Sequence, residues 1–160
     1  MKRFERPLLG FLSTQEIQAI LEAPNASSFS GRRDRVLFAL MYNTGARVSE
    51  IATLHVGNVV LGRCPSVRLH GKGRKERTIP LWQGTARQIK RWMRQIDSKP
   101  DSPLLPNAHG EPLTRSGIED RLREAVRSAS NKLPSLKETR ISPHTLRHTT
   151  AMHLLQGGVD

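Results

Sequence analysis

The sequence has 160 residues, with 26 lysines and arginines against 14 aspartates and glutamates, a formal charge of +12 with histidine neutral. That length and a hydrophobic share of 36% fit one folded domain over residues 1–160 with a modest core. Arginine dominates, 19 against 7 lysines, and planar guanidinium groups grip phosphate oxygens in pairs, so nucleic acid leads an anionic membrane as the expected partner.

Apolar runs such as Val36 to Met41 fall far short of the roughly 20 residues that span a bilayer. The basic N-terminal stretch is followed by no apolar segment of the kind a secretory signal needs. Cys64 is the lone cysteine, which gives no internal disulfide and no cysteine metal cluster and suits a reducing, cytoplasmic setting. At 4%, aromatic residues are too sparse for a base-stacking platform, so duplex DNA held by its backbone is expected rather than single strands.

The first helix is expected to open at Ser13, where Ser13-Thr-Gln-Glu16 reads as a capping box, and to end near Pro24. A Ser-rich loop, 25–31, precedes a second helix from Arg32 to about Asn43, with Val36, Leu37, Leu40 and Met41 at helical spacing and Gly45 as its C-terminal cap. A short helix follows with Val48, Ile51 and Ala52 inward, and with Arg47 and Glu50 three apart on another face. Strands Ser66–His70 and Glu76–Pro80 flank the glycine-rich Gly71-Lys-Gly-Arg-Lys75, a hairpin to which residues 59–61 could add a third strand. Ile89, Trp92, Met93 and Ile96 make the apolar stripe of the next helix, and Arg87, Lys90, Arg91 and Arg94 its wet side. The proline-rich 97–112 is loop, Ser116-Gly-Ile-Glu119 reads as a second capping box, and 128–141 as a polar connection. The last helix starts at Ser142 with Pro143 in its first turn and is stopped by Gly157-Gly158. The fold class expected is α+β, a mainly helical single domain with a small antiparallel sheet of two or three strands.

Three sets of residues could carry chemistry, each with a plainer alternative. His144 in the first turn of the last helix and Arg147 one turn on make a candidate phosphate site at a helix N-terminus; the plainer reading is a solvated helix charge beside a cap. Lys72, between two glycines at a hairpin tip, could enter a DNA groove or protonate a leaving oxygen, or could simply discourage edge-to-edge sheet pairing. Arg47 and Glu50 could be no more than a surface ion pair. A zinc site at His144, His148 and His153 is disfavoured, because no glutamate follows the first histidine and the third lies off their face. The carboxylates do not cluster as a two-metal nuclease needs, Glu119-Asp120 being an isolated pair.

Taken together, and in this order, the pieces resemble the catalytic domain of the tyrosine recombinase (phage integrase) family. Thr44-Gly-Ala-Arg-Val-Ser-Glu50 is similar to its first arginine box, Gly71-Lys-Gly-Arg-Lys-Glu-Arg77 to its hairpin lysine motif, and His144-Thr-Leu-Arg-His-Thr-Thr-Ala151 to its H-x-x-R box. Leu12-Ser-Thr-Gln-Glu and Leu105-Pro-Asn-Ala-His-Gly are smaller echoes. The resemblance implies site-specific DNA recombination or integration through a 3′-phosphotyrosine link and a free 5′-hydroxyl, with no metal or other cofactor. It implies Arg47 and Arg147 on the scissile phosphate, Lys72 as general acid to the 5′-oxygen, His144 as acid/base or transition-state donor, and Glu50 in support. Arg74, Lys75, Arg77 and His148 are expected to contact duplex DNA, and other recombinase subunits to assemble on it. The family pattern continues into a further helix with a second His or Trp and then the nucleophilic tyrosine; neither is expected within 1–160, nor is the separate N-terminal DNA-clamping domain. The only tyrosine, Tyr42, lies in an apolar helix and is read as core packing. The fragment is therefore expected to be inactive alone. The competing class is a non-catalytic basic DNA-binding or regulatory module.

Overall fold

A computed structural model describes residues 10–73 and 75–157. Helix α1, Thr14–Glu22, starts as the sequence predicts: the Ser13 hydroxyl accepts from the Glu16 N–H, and the Glu16 carboxylate accepts from the Ser13 N–H at 2.9 Å. Helix α2, Phe29–Thr44, begins three residues earlier than expected. Its cap is Ser28, whose hydroxyl accepts from Gly31 N–H, and the Phe29 ring lies against Trp92 with centroids 5.0 Å apart. Gly31 sits in that first turn because a Cβ there would stand 1.8 Å from the Asn25 carbonyl oxygen. Gly45 ends α2 with φ +66°, a left-handed turn that sends the chain directly into the Arg47 segment.

The short α3, Val48–Ala52, leads through a 3₁₀ turn, Val56–Asn58, into strands β1 (Val59–Val60), β2 (Ser66–His70) and β3 (Glu76–Pro80). They form one antiparallel sheet in the order β1-β2-β3, with Val67 opposite Ile79 and His70 opposite Glu76. Val67 and Leu69 face the core while Arg68 and His70 face water, the period-two alternation of a half-covered sheet. Helix α4 is Gln83–Met93; its stripe buries Ile89 and Trp92, but Ile96 falls beyond the helix.

Helix α5 runs Arg115–Lys132 and departs from expectation at both ends. Thr114, not Ser116, is the cap, accepting from Gly117 N–H at 3.0 Å, which leaves Ser116 inside the first turn. At the far end the helix continues through the stretch read as a polar connection, because Ala129 and Ser130 are buried, and a 3₁₀ turn, Pro134–Glu138, follows. Helix α6, Pro143–Gln156, has the predicted Ser142 cap and stops at Gly157; the second glycine, Gly158, lies outside the described residues.

The core gathers around α2. Val36, Leu37, Phe38, Leu40 and Met41 meet Ile17 and Ile20 of α1, Ile89 and Trp92 of α4, Ile118 and Leu122 of α5 and Leu146 of α6. A charged link crosses it: Asp34 takes Arg33 Nε and Nη2 on one oxygen and Arg121 Nε at 2.7 Å on the other, tying α2 to α5. The result is the expected mainly helical architecture with a three-stranded antiparallel sheet.

Candidate active site

Three helix starts and one hairpin converge on one side of the molecule. Arg47 occupies the N-cap position of α3, exposed and directly after the Gly45 turn. His144 and Arg147 stand in the first and second turns of α6, and Arg115 opens α5. Arg47, Arg115, Glu119, His144 and Arg147 line one cleft of about 360 Å³, together with Ser142 and Pro143. An adjoining groove shares Arg47 and Ser49 with it and is walled by Glu50, His70, Lys72, Lys75 and Arg77. Arg47 therefore stands at the junction between the H-x-x-R helix and the lysine hairpin.

Charge in the cleft is poorly compensated. Among the described residues no carboxylate pairs with Arg47, Lys72 or Arg147; the cleft's own acid, Glu119, reaches Arg115 at 3.9 Å. The free N–H groups at the starts of α5 and α6 add to the positive field. An anion the size of a phosphate fits this chemistry, with two guanidiniums and an imidazole as donors.

Glu50 behaves differently from the surface ion pair considered as the plain alternative. Its side chain is 4% exposed, and one oxygen accepts both the Arg47 backbone N–H at 2.8 Å and Arg77 Nη2 at 3.0 Å. The carboxylate thus caps α3 and holds β3 of the hairpin, leaving the Arg47 guanidinium unengaged by it. Its second oxygen points at the hairpin base, where a Cβ on Gly71 would stand 3.4 Å away. Gly71 N–H closes the loop by donating to Lys75 C=O at 2.7 Å, presenting Lys72 to solvent.

The remaining sequence-predicted residues are placed as follows. Lys75 and Arg77 line the hairpin groove, Arg77 with one nitrogen committed to Glu50. Arg74 lies outside the described residues. His148 is half-buried, edge-on to Phe11 with ring centroids 6.0 Å apart, and is not brought to the cleft with His144 and Arg147. Among the described residues no three potential metal ligands gather, and no helix is long and apolar enough to cross a membrane. His153 has both ring nitrogens engaged: Nε2 faces the Leu12 carbonyl at 2.8 Å and Nδ1 faces the Tyr42 hydroxyl at 2.6 Å. Since a carbonyl can only accept, a neutral His153 carries its proton on Nε2 and accepts the Tyr42 O–H on Nδ1. Tyr42 is thus a half-buried structural donor packed on the core, and burial pushes its phenol above the ordinary value of 10.0.

Sequence reasoning passed over Arg115. The signal was the threonine two residues before the supposed Ser116 cap, since a helix opened by Thr114 puts Arg115 at its first position.

Comparison with known proteins fits this geometry. Residues 10–160 match the family model described as "Phage integrase family". A putative integrase/recombinase, y4rC, of Sinorhizobium fredii is 40% identical over 99% of this chain and 48% of its own length. The tyrosine recombinase XerD of Pseudomonas putida is 34% identical over 100% of this chain and 53% of its own. Among solved structures, XerA recombinase superposes with a TM-score of 0.77 at 25% identity, covering 94% of this chain and 52% of that one. XerH recombinase bound to its difH substrate in a pre-cleavage complex gives 0.75 at 25% identity, over 92% of this chain and 43% of that one. The chain spans about half the length of the curated relatives it matches. With the arginine box and the H-x-x-R helix meeting around one cleft, the hairpin lysine in the groove adjoining it, and a family match over nearly the whole sequence, the chain belongs to the phage integrase family.

Proposed function

We propose that this chain supplies the phosphate-activating part of a site-specific recombinase that breaks and rejoins duplex DNA. The observation that carries the reading is the placement of Arg47 and Arg147 in one cleft with His144, with no carboxylate among the described residues neutralising either arginine, and Lys72 on the adjoining hairpin. In this reading a tyrosine oxygen attacks the scissile phosphorus, a P–O bond to tyrosine forms, and the bond to the 5′-oxygen breaks. The transition state carries extra negative charge on its non-bridging oxygens, which Arg47 and Arg147 neutralise from fixed positions. Lys72 gives its proton to the departing 5′-oxygen, and His144 takes the proton of the attacking phenol or donates a hydrogen bond to a non-bridging oxygen in the transition state. Glu50 fixes Arg47 and the hairpin without touching the reacting atoms. Lys75 and Arg77 contribute phosphate contacts beside the cleft, Arg74, their neighbour in the sequence, does likewise, and the subunits of a recombination complex are the protein partners.

Tyr42 is not the attacking group here. Its hydroxyl is committed to His153 and its raised pKa disfavours the phenolate, so the nucleophile comes from another segment or subunit. The test is made in a form that supplies that tyrosine, fused or as a second subunit, on labelled duplex DNA. Arg47→Ala and Arg147→Ala each remove covalent adduct formation while leaving most duplex binding. Equal loss of binding and cleavage would favour a non-catalytic basic module, and an adduct abolished by Tyr42→Phe would overturn the assignment of the nucleophile.

A further inference from the structure

The cleft does not account for a second concentration of positive charge on α4. The stretch from Trp82 to Ile96 contains no acidic residue, and Arg87, Lys90, Arg91 and Arg94 are all exposed at i, i+3, i+4 and i+7 spacing. The opposite side of α4, with Ile89 and Trp92, is spent on the core. The stripe is therefore a built face of a fixed helix, about 10 Å long at 1.5 Å per residue.

Beside it lies a groove of about 190 Å³ between α4 and α2, lined by Arg32, Arg35, Gln88, Arg91 and Gln95 with no carboxylate. Both α2 arginines are held in place by neutral acceptors. Arg35 donates Nε to the Pro24 carbonyl at 2.7 Å and Nη2 to the Glu22 carbonyl at 2.8 Å. Arg32 donates Nε to Gln95 Oε1 and Nη1 to the Ala26 carbonyl. Glu22, whose main chain serves Arg35, turns its carboxylate to Gln18 instead. Hydrogen bonds to carbonyls orient these guanidiniums but leave their charge uncompensated, and among the described residues no ion pair engages Arg32, Arg35, Arg87, Lys90, Arg91 or Arg94.

This surface is separate from the cleft. Arg32 and Gln95 meet near the start of α2, whereas Arg47 follows its end, and a helix of 16 residues is about 24 Å long. No residue of α4 lines the cleft or the hairpin groove.

We infer that the α4 stripe and the Arg32–Arg35–Arg91 groove form a second phosphate-binding surface, which takes the backbone of a further DNA duplex while the cleft holds the first. Neighbouring helical positions three and four apart have Cβ atoms about 5 to 6 Å from one another, so their long cationic side chains can reach successive backbone phosphates. Three of the four stripe residues are arginines, suited to phosphate oxygens. Against a membrane, Ile89 and Trp92 of α4 are buried against the core, which leaves only Trp82 at its start as a large exposed apolar side chain, too little for insertion along the stripe. The inference rests on the proposed reading in that the cleft holds the first duplex, and loading on the bead-bound duplex, scored separately from capture, tells failure of that reading from failure of this one.

The experiment is a bridging assay. One duplex is fixed to beads and loaded with the chain, and capture of a second, fluorescent duplex of unrelated sequence is measured across a salt series. The wild-type chain captures the second duplex, and the combined variant Arg87→Gln, Lys90→Gln, Arg91→Gln, Arg94→Gln loses that capture while still loading on the first. In the wild type the four stripe cations contribute about 3.6 to the slope of log capture against log salt, at roughly 0.9 per phosphate contact. An unchanged thermal midpoint shows that the surface changes leave the fold intact. Absence of capture by the wild type, or equal capture by the variant, overturns the inference. So does stripe-dependent binding to phosphatidylserine vesicles without capture of DNA.

Discussion

Replacing Glu50 probes the link between the arginine box and the hairpin. Glu50→Ala deletes the acceptor of the Arg47 N–H, a helix-capping interaction worth about 1 kcal/mol. It also deletes the charged hydrogen bond to Arg77, and because the Arg77 side chain is 43% exposed and regains water, that loss is discounted to about 0.5–1 kcal/mol. The total, about 1.5–2 kcal/mol, corresponds to a fall of about 3–8 °C in the thermal midpoint for a domain of this size. Glu50→Gln keeps an oxygen for the cap and loses only the charge, so it costs about half as much. Urea unfolding of the two variants, with Arg77→Ala and the Glu50→Ala/Arg77→Ala double variant, closes a cycle whose coupling energy isolates the Glu50–Arg77 contact. Hydrogen exchange should rise at the Arg47 and Gly71 amides in Glu50→Ala. A loss below about 0.5 kcal/mol, with exchange unchanged at both amides, would refute the claim that this carboxylate holds the two elements together.

Two further outcomes follow from buried polar contacts. Asp34→Ala strands Arg33, whose side chain is 6% exposed, beside the Pro106 carbonyl, and should cost about 3–5 kcal/mol in urea unfolding; adding Arg33→Met should recover most of it, and a small loss in the single variant would show the network to be dispensable. For Tyr42, burial raises the folded-state pKa above 10.0, so the stabilising contribution of the protonated phenol is full below pH 10 and is lost as pH rises through the folded-state value. Tyr42→Phe should therefore be less stable by about 1 kcal/mol near neutrality, through loss of the bond to His153, with a gap that narrows above pH 10; a gap independent of pH would contradict a buried donor role.

Features confined to a short stretch of sequence were legible. The Ser13/Glu16 box, the Ser142-Pro143 start and the Gly45 stop each depend on residues within one turn, and each stands where the sequence put it. The hairpin strands were legible for the same reason, alternation being a local property. Boundaries set by tertiary contact were not. Helix α2 extends back to Phe29 because that ring packs on Trp92, 63 positions away, within a segment whose serines read as loop. At α5 two hydroxyl residues competed as caps, and burial of Leu113 beside Thr114 accompanies the earlier choice. In the site, the three motifs indicated Arg47, Lys72, His144 and Arg147, but not that Glu50 would reach Arg77 across 27 residues or that His153 would turn away to Tyr42 and Leu12. Side-chain partners distant in sequence leave no periodic trace.

On the function proposed above, what suits the cleft to phosphate is as much the placement of its acids as of its bases. Among the described residues, each carboxylate near the two boxed arginines has another engagement: Glu50 on a backbone N–H and Arg77, Glu119 beside Arg115, Glu76 beside Arg68 and His70. The positive groups left over sit on elements that cannot easily retreat. Helix α6 is tied to the rest of the domain behind its cleft-facing end, by Thr149 Oγ1 accepting from Leu12 N–H, by Thr150 Oγ1 donating to the Tyr42 carbonyl, and by His153 bridging Tyr42 to the Leu12 carbonyl. Close approach of α6 to the end of α2 is itself conditional on Gly45, where a Cβ would meet Thr150 Cγ2 at 3.3 Å. One small contact zone thus fixes both the turn that delivers Arg47 and the helix that delivers His144 and Arg147. Donors fixed before the substrate arrives need no reorganisation when charge develops on the phosphate, which is the condition under which electrostatic stabilisation of a transition state is largest.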